Sequence, residues 1–341
     1  MTTIEVPRVT VREIAADTGV SIATVSRVLN DHVNVAPRTR TLVLQAVERR
    51  RAQSSAARTG MTGSRAIYVR CPYVLTDYFG IIVSSIAETL QLHGRQLVLN
   101  AGEATQHSSV LQGIPGEANI CGAIMILPPE ESHELISLRA RAFPFVVVDP
   151  RTALTQDIAA VSAANFSGSR ALSAHLIGLG HRRIGVIGGP PQWVASDARL
   201  AGHRAAMAEV GVLPAHELLR GLEPTTENGY LMARELLALA DQPTAIVGFN
   251  DKVAVGALRA AQELGLRVPV DLSITGFDDI DISNATHPTL TTVRQPLQEM
   301  GRMAVTLLMR ILEGHDLQTL HVTLATELVI RESTGRVRAT G

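Results

Sequence analysis

The sequence predicts a small all-α amino-terminal domain followed by a larger α/β body built on two doubly wound parallel sheets. Three observations carry this expectation. A capped, glycine-broken helical pattern fills Thr10 to Asn30. Ten arginines stand against five acidic residues in positions 1–65. From Arg65 onward, short β-rich apolar runs alternate with helical stretches. A chain of 341 residues has room for one small and one large domain, or three modest ones.

Thr10 precedes an apolar rhythm and Glu13 follows three residues later, the arrangement in which two side chains satisfy orphan backbone donors at a helix start. A short helix is expected over residues 11–17, burying Ile14 and Ala15. Gly19 supplies the left-handed residue that ends it. Ser21 then caps a second helix whose inward stripe is Val25, Val28 and Leu29. Two short helices joined by a tight glycine turn make a helix-turn-helix, whose second helix fits a DNA major groove. Its outward face pairs Ile22 with Ser26 and Ala23 with Arg27 at four-residue spacing. Apolar side chains there suit thymine methyl groups, and Arg27 suits the paired acceptors of guanine. The plainer alternative is a two-helix corner inside a larger domain. A third helix is expected from Pro37, with Leu42, Val43, Ala46 and Val47 closing a small core. Residues 48–65, rich in Arg, Ser, Ala and Gly, read as a linker that cannot build a core.

The net charge of −1 says nothing about partners, but its distribution does. A basic head on a mildly acidic body fits local phosphate contact, with a chance excess of arginine as the bland alternative. Lys252 is the single lysine. Cys71 and Cys121 sit in apolar, strand-like runs without metal-ligand spacing and read as buried free thiols in a reducing compartment; no metal and no cofactor are expected. No export pattern precedes the first helix and no apolar run reaches spanning length, so a cytoplasmic chain without a membrane partner is expected.

In the body, AIYV, QLVLN, GAIMIL, FVVVD, RIGVIGG, TAIVGF and LSITGF are runs of the kind that parallel strands buried on both faces require. Ligands in such folds bind at the carboxyl ends of strands. Asp149 follows FVVV, Asn250-Asp251 follow AIVGF, Asp278-Asp279 follow SITGF, residues 190–193 with Trp193 follow GVIGG, and Arg199 comes shortly after. Carboxylates accept from hydroxyls, a guanidinium donates in a fork and an indole covers an apolar ring face, a set suited to a small polyhydroxylated ligand. Each residue has a plainer reading: Asp251 and Asp279 as helix caps, Trp193 as packing.

The stretch VSIATVSRVLN resembles the recognition helix of the lac repressor (LacI/GalR) family of bacterial transcriptional regulators, and later phrases follow the family's order: HLIGLGHRRIGVIGG, RLAGHRAAM, GFND, GFDDI and HPTLTTVRQP. The resemblance implies a helix-turn-helix domain followed by a two-lobed periplasmic-binding-protein-like domain. It implies Ile22, Ala23 and Arg27 as base readers, with Thr10, Ser21, Thr24, Ser26 and Asn30 near phosphates. It carries sugar or purine contacts to Arg199, Asn250 and Asp278, then to Asp149, Trp193 and the Tyr78-Phe79 pair. In the family the linker forms a hinge helix that wedges a leucine into the minor groove. Here Ala56, Ala57 and Arg58 match part of that pattern, but Gly60 stands at the leucine position with Met61 beside it as a substitute wedge. Ala164-Asn165 also stands where the family has Asp-Asn.

The domains implied are residues 1–53 for the helix-turn-helix, 54–64 for the hinge and 65–341 for ligand binding and dimerisation. Lobe 1 spans about 65–163 with 294–324, and lobe 2 about 164–293 with 325–335. The chain should recross near Arg294 into a helix over 296–312 that packs through Met300, Ala304, Leu307, Leu308 and Ile311. No leucine heptads follow Arg331, so a homodimer is expected. No phosphate-binding loop or nucleophile elbow occurs, and His175 and His181 read as capping or solvated helix residues, which argues against an enzyme. The expected function is a ligand-responsive transcriptional regulator, a repressor on palindromic double-stranded operator DNA with a sugar or nucleoside-like effector. A cytoplasmic sugar-binding or sugar-processing protein with a vestigial head is the alternative.

Overall fold

The computed structural model describes Ala15 and residues 18–29, 39–40, 43, 46, 66–106, 110–117, 119–315 and 319–337. The first helix apart from Ala15, the start of the third and the linker, with Thr10, Asn30, Ala57, Arg58, Gly60 and Met61, lie outside the described residues, as do the side chains of Ala23 and Leu29. The chain divides into two compact units, Met1–Arg65 and Ala66–Gly341.

In the first unit, helix α1 covers Ile22–Leu29. Gly19 adopts a left-handed φ of 66° ahead of it, a conformation that costs glycine no Cβ clash. Ser21 starts the helix: its carbonyl accepts from the Val25 N–H at 3.0 Å, and its hydroxyl from the Thr24 N–H at 3.3 Å. Val25 and Val28 are buried with Val43 and Ala46 in a small core, flanked by Ala15 and Val20.

The second unit has two layered α/β lobes. In lobe 1, β1 (Ala66–Cys71), β2 (Leu97–Ala101), β3 (Ile120–Ile126), β4 (Phe145–Val148), β5 (Ala159–Ala163) and β11 (His321–Leu324) form one sheet in the order β11-β5-β4-β3-β1-β2. Every pair is parallel. Helices α2 (Asp77–Leu92) and α3 (Ser132–Ala140) cross over between its strands, and α8 (Leu297–Leu312) packs on it through Leu297, Met300, Ala304, Leu307 and Leu308. In lobe 2, β6 (Ile184–Gly188), β7 (Leu219–Gly221), β8 (Ala245–Gly248) and β9 (Ser273–Thr275) form a second parallel sheet in the order β7-β6-β8-β9. It is covered by α4 (Asn165–Gly178), α5 (Val194–Glu209), α6 (Thr226–Leu237) and α7 (Asp251–Glu263). β1, β3, β4 and β8 are buried, as parallel strands under two helical layers require. The QLVLN run departs from that expectation, because β2 is an edge strand whose Val98 and Leu99 are 41% and 39% exposed.

The lobes are joined by three crossings. β10 (Thr292–Arg294) pairs antiparallel with β12 (Glu327–Val329), and the Ala164 N–H donates to the Leu324 carbonyl at 2.8 Å. Segment 331–335 returns to lobe 2, where Ser333 takes part in bonds with Ile274 and Thr291. His181 corrects one expectation. It is 2% exposed and neither caps a helix nor meets solvent. Its Nδ1 pairs with Thr244 Oγ1 at 2.9 Å and its Nε2 with the Gly335 carbonyl at 3.0 Å. His175 likewise reaches Thr334 Oγ1 at 3.0 Å. Of the thiols, Cys71 is fully buried and Cys121 partly so.

Candidate functional site

Between the lobes lies a cavity of about 680 Å³. Tyr78, Phe79, Asp149, Trp193, Arg199, Asn250 and Asp278 all line it. The topology explains the convergence, because β1, β4, β8 and β9 all end toward this cleft.

Two of the carboxylates are turned into the cleft by unusual backbone. Asp149 follows β4 with φ 51°, and Asp278 follows β9 with φ 113°. Non-glycine residues seldom adopt such angles, and they persist where surrounding bonds over-determine them. Here the Asp149 N–H donates to the Val161 carbonyl and the Asp278 N–H to the Val293 carbonyl, each at 2.8 Å. The Tyr78 hydroxyl donates to Asp149 Oδ2 at 2.9 Å, and Gln295 Nε2 donates to Asp278 Oδ1 at 2.6 Å. Burial pushes the Asp278 carboxyl up to about 7, against the pull of Arg199 and of the Gln295 bond. Burial raises Asp149 too, with Arg199 and the Tyr78 hydroxyl opposing. The Tyr78 phenol is driven well above its ordinary value by burial and by the two carboxylates beside it.

Arg199, on the second turn of α5, is fixed on every side. Its Nε donates to Asn165 Oδ1 at 2.8 Å, one terminal nitrogen donates to the Phe249 carbonyl at 2.6 Å, and the other stands 3.8 Å from Asp278 Oδ1. Its guanidinium lies 4.4 Å from the Phe249 ring centre and 3.7 Å from that of Phe277. Asn165 therefore positions the arginine from the place where the chain enters lobe 2.

Aromatic rings form the remaining walls. Tyr73 stacks on Phe79 at 4.4 Å, and Tyr78 meets Phe79 edge-on at 5.1 Å. Trp193 is 4% exposed and meets Phe249 edge-on at 6.1 Å, so it both packs and lines the cleft. The Arg151 guanidinium lies 5.0 Å from the indole centre and bonds the Tyr73 hydroxyl.

Helix-cap readings of two aspartates are corrected. Asn250 is the cap of α7, its Oδ1 accepting from the Val253 N–H at 2.9 Å. Asp251 is fully buried and accepts from the Thr292 hydroxyl at 2.6 Å and the Ile280 N–H at 3.0 Å. Asp279 binds Arg331 at 2.6 Å and Arg294 at 2.7 Å, tying two crossing segments together. The Lys252 ammonium spans the cleft mouth to Thr76 Oγ1 at 3.2 Å.

Sequence reading missed Tyr73, Arg151, Phe249 and Gln295, and noted Asn165 only as part of a departure from the family pattern, without its bond to Arg199. Tyr73 and Phe249 follow strand runs, so the strand-end rule that found Asp149 was available for both. Arg151, Asn165 and Gln295 act through contacts that no local pattern announces.

On α1, Ile22 is 51% exposed and Arg27 is exposed, while Thr24 and Ser26 are half-buried at the edges of the same face. Ser21 Oγ and Thr24 Oγ1 lie 2.9 Å apart. An exposed isoleucine and an exposed arginine on one capped helix give a surface able to meet base edges. No helix among the described residues is long and apolar enough to cross a membrane.

Comparison with known proteins agrees with both regions. Residues 10–50 match the family "bacterial regulatory proteins, lacI family", and residues 173–334 match a periplasmic binding protein-like domain. The chain is 30% identical over 332 residues to the HTH-type transcriptional regulator GalS of Salmonella typhimurium strain LT2, covering 95% of this chain and 96% of that one. A solved transcriptional regulator CelR–cellobiose complex superposes with a TM-score of 0.71 at 28% identity, over 96% of this chain and 100% of that one. The lac repressor dimer bound to operator and the anti-inducer ONPF gives a TM-score of 0.70 at 27% identity, over 96% and 99%. With a family-matching amino-terminal motif and relatives spanning nearly its whole length, the chain belongs to the lacI family of bacterial transcriptional regulators.

Proposed function

We propose that this regulator is a repressor that binds a two-fold symmetric operator as a homodimer and answers to an uncharged sugar or nucleoside held between its lobes. The observation that carries the ligand half is the meeting of seven residues, spread from Tyr78 to Asp278, around one cavity whose size suits a small molecule. Stacked aromatic rings supply faces for a ring-shaped body, while Asp149, Asp278, Asn250 and Arg199 supply hydroxyl partners. The CelR structure holds cellobiose, which favours a sugar here as well.

For the DNA half, residues 1–53 form the reading domain and 54–64 the linker. Ile22, Ala23 and Arg27 face bases; Thr10, Ser21, Thr24, Ser26 and Asn30 face phosphates; Ala57, Arg58 and Met61 act in the hinge. Two protomers place their copies of α1 in successive major grooves, and dimer symmetry makes the half-sites mirror each other. Effector closure of the lobes favours one arrangement of the dimer, coupling ligand to DNA by about 1–3 kcal/mol.

A gel shift with the DNA flanking its own gene, run beside a thermal-shift screen over sugars and nucleosides, tests both halves. The expected result is a retarded dimer complex whose affinity changes with a ligand that also raises the melting temperature. A dimer indifferent to that DNA sinks the operator half. A ligand whose binding survives Arg199→Ala unweakened sinks the cleft assignment.

A further inference from the structure

Lobe 2 contains a second cavity, of about 310 Å³, between the β6–β8 face of its sheet and helices α4 and α5. Most of its wall is carbon, contributed by Leu172, Val186, Val247 and Phe277. It meets the surface beside Pro191 and Gly221, both exposed. The volume is roughly twice that of an engineered apolar cavity of about 150 Å³ that admits benzene.

Two polar atoms interrupt this carbon wall. Ser196 Oγ and His203 Nε2 are buried without a hydrogen-bond partner in the protein, on residues that are 7% and 1% exposed. Both residues line the cavity from one face of α5, two turns apart. Buried polar atoms of this kind cost free energy unless something bonds them. The imidazole is held from its other side, where Nδ1 pairs with Ser173 Oγ at 2.9 Å. Burial, with Arg204 adding to it, takes His203 down to about 4, so the ring is neutral near pH 7. In a neutral ring Nε2 is a donor in one tautomer and an acceptor in the other, and a hydroxyl answers either.

The buried charge on this wall, the Arg199 guanidinium, is already committed to Asn165, the Phe249 carbonyl and Asp278. Asp197 is exposed at the rim, and Arg220 is engaged by Glu235 at 2.8 Å. We propose that this cavity is a second ligand site, taking a small uncharged phenol or cyclic alcohol whose ring lies against the carbon wall and whose hydroxyl meets Ser196 Oγ. Arg199 and Phe249 line both this cavity and the interlobe cleft, so the two sites share a wall. The inference concerns lobe 2 alone and stands whether or not the cleft takes a sugar.

The test is fluorine NMR of 4-fluorophenol with the full chain. The probe resonance should broaden on adding protein and recover when phenol or cyclohexanol competes, whereas benzoate should displace it poorly. Val186→Phe fills the cavity and should abolish broadening. Ser196→Ala leaves the packing intact and should weaken the probe about tenfold, the size of one lost hydrogen bond. If Val186→Phe fails to fold, the Ser196→Ala measurement decides. A probe left sharp by the wild-type chain at millimolar concentration overturns the proposal. So does unchanged binding in both variants, or displacement by benzoate as efficient as by phenol.

Discussion

The two walls of the interlobe cleft are built differently. On the lobe 2 side, Arg199 is fixed by Asn165, by the Phe249 carbonyl and between two phenyl rings, while Asp278 is gripped by Gln295. On the lobe 1 side the surface is a cluster of rings, Tyr73 stacked on Phe79 and Tyr78 edge-on to it, around one buried carboxylate, Asp149. The polar half is assembled in advance; the aromatic half is a cover. A ligand that docks first on lobe 2 meets groups already desolvated and oriented, so little ordering remains to be done there. Lobe 1 contributes the aromatic area and the Tyr78–Asp149 pair.

This contrast can be broken at four points, taken from the largest expected effect down. Arg199→Ala removes the centre of the preassembled half and strands the Asn165 and Phe249 oxygens; calorimetry should show effector affinity falling by about 2–5 kcal/mol with operator binding intact. Asp278→Asn probes the same half through pH. The carboxyl sits near 7 in the fold, above its ordinary 3.8, so the folded chain keeps a proton that the unfolded chain has lost. That stabilisation is complete below about pH 4 and disappears as pH rises through about 7. The amide variant should therefore gain on wild type between about pH 5 and pH 8, by roughly 1–4 kcal/mol in denaturant melts. A gap that stays flat across that range would show the carboxyl already ionised.

On the covering half the effects shrink. Tyr78→Phe leaves Asp149 without its phenol partner and should weaken effector by about 1 kcal/mol, chiefly through faster release in stopped-flow displacement. Lys252→Ala removes the bond to Thr76 across the mouth, an exposed contact worth under about 1 kcal/mol; its expected trace is a slightly more open chain in small-angle scattering and a few-fold change in effector affinity. Should Tyr78→Phe cost more than Arg199→Ala, the division into prepared and covering walls is wrong.

The architecture was readable because parallel strands buried on both faces leave long apolar runs, and the cleft because α/β folds put polar residues at strand ends. Asp149 and Asp278 follow that rule, and so do Tyr73 and Phe249, although an aromatic after an apolar run reads equally well as core. Asn250 and Asp251 show where local reading stops. Either neighbour has the chemistry to cap a helix, and only the approach of Thr292, from another crossing segment, makes Asp251 the buried one. His181 misled for the same reason: its partners, Thr244 and Gly335, stand 63 and 154 residues away.

The late segments have a consequence for how the molecule is made. β11 supplies an edge strand to the lobe 1 sheet, and 333–335 bond Ile274, Ser273 and His181 in lobe 2. Neither lobe can finish during synthesis until residues beyond 320 have emerged from the ribosome. A nascent chain stalled earlier would present two unsealed sheets, an obvious handle for chaperones and proteases.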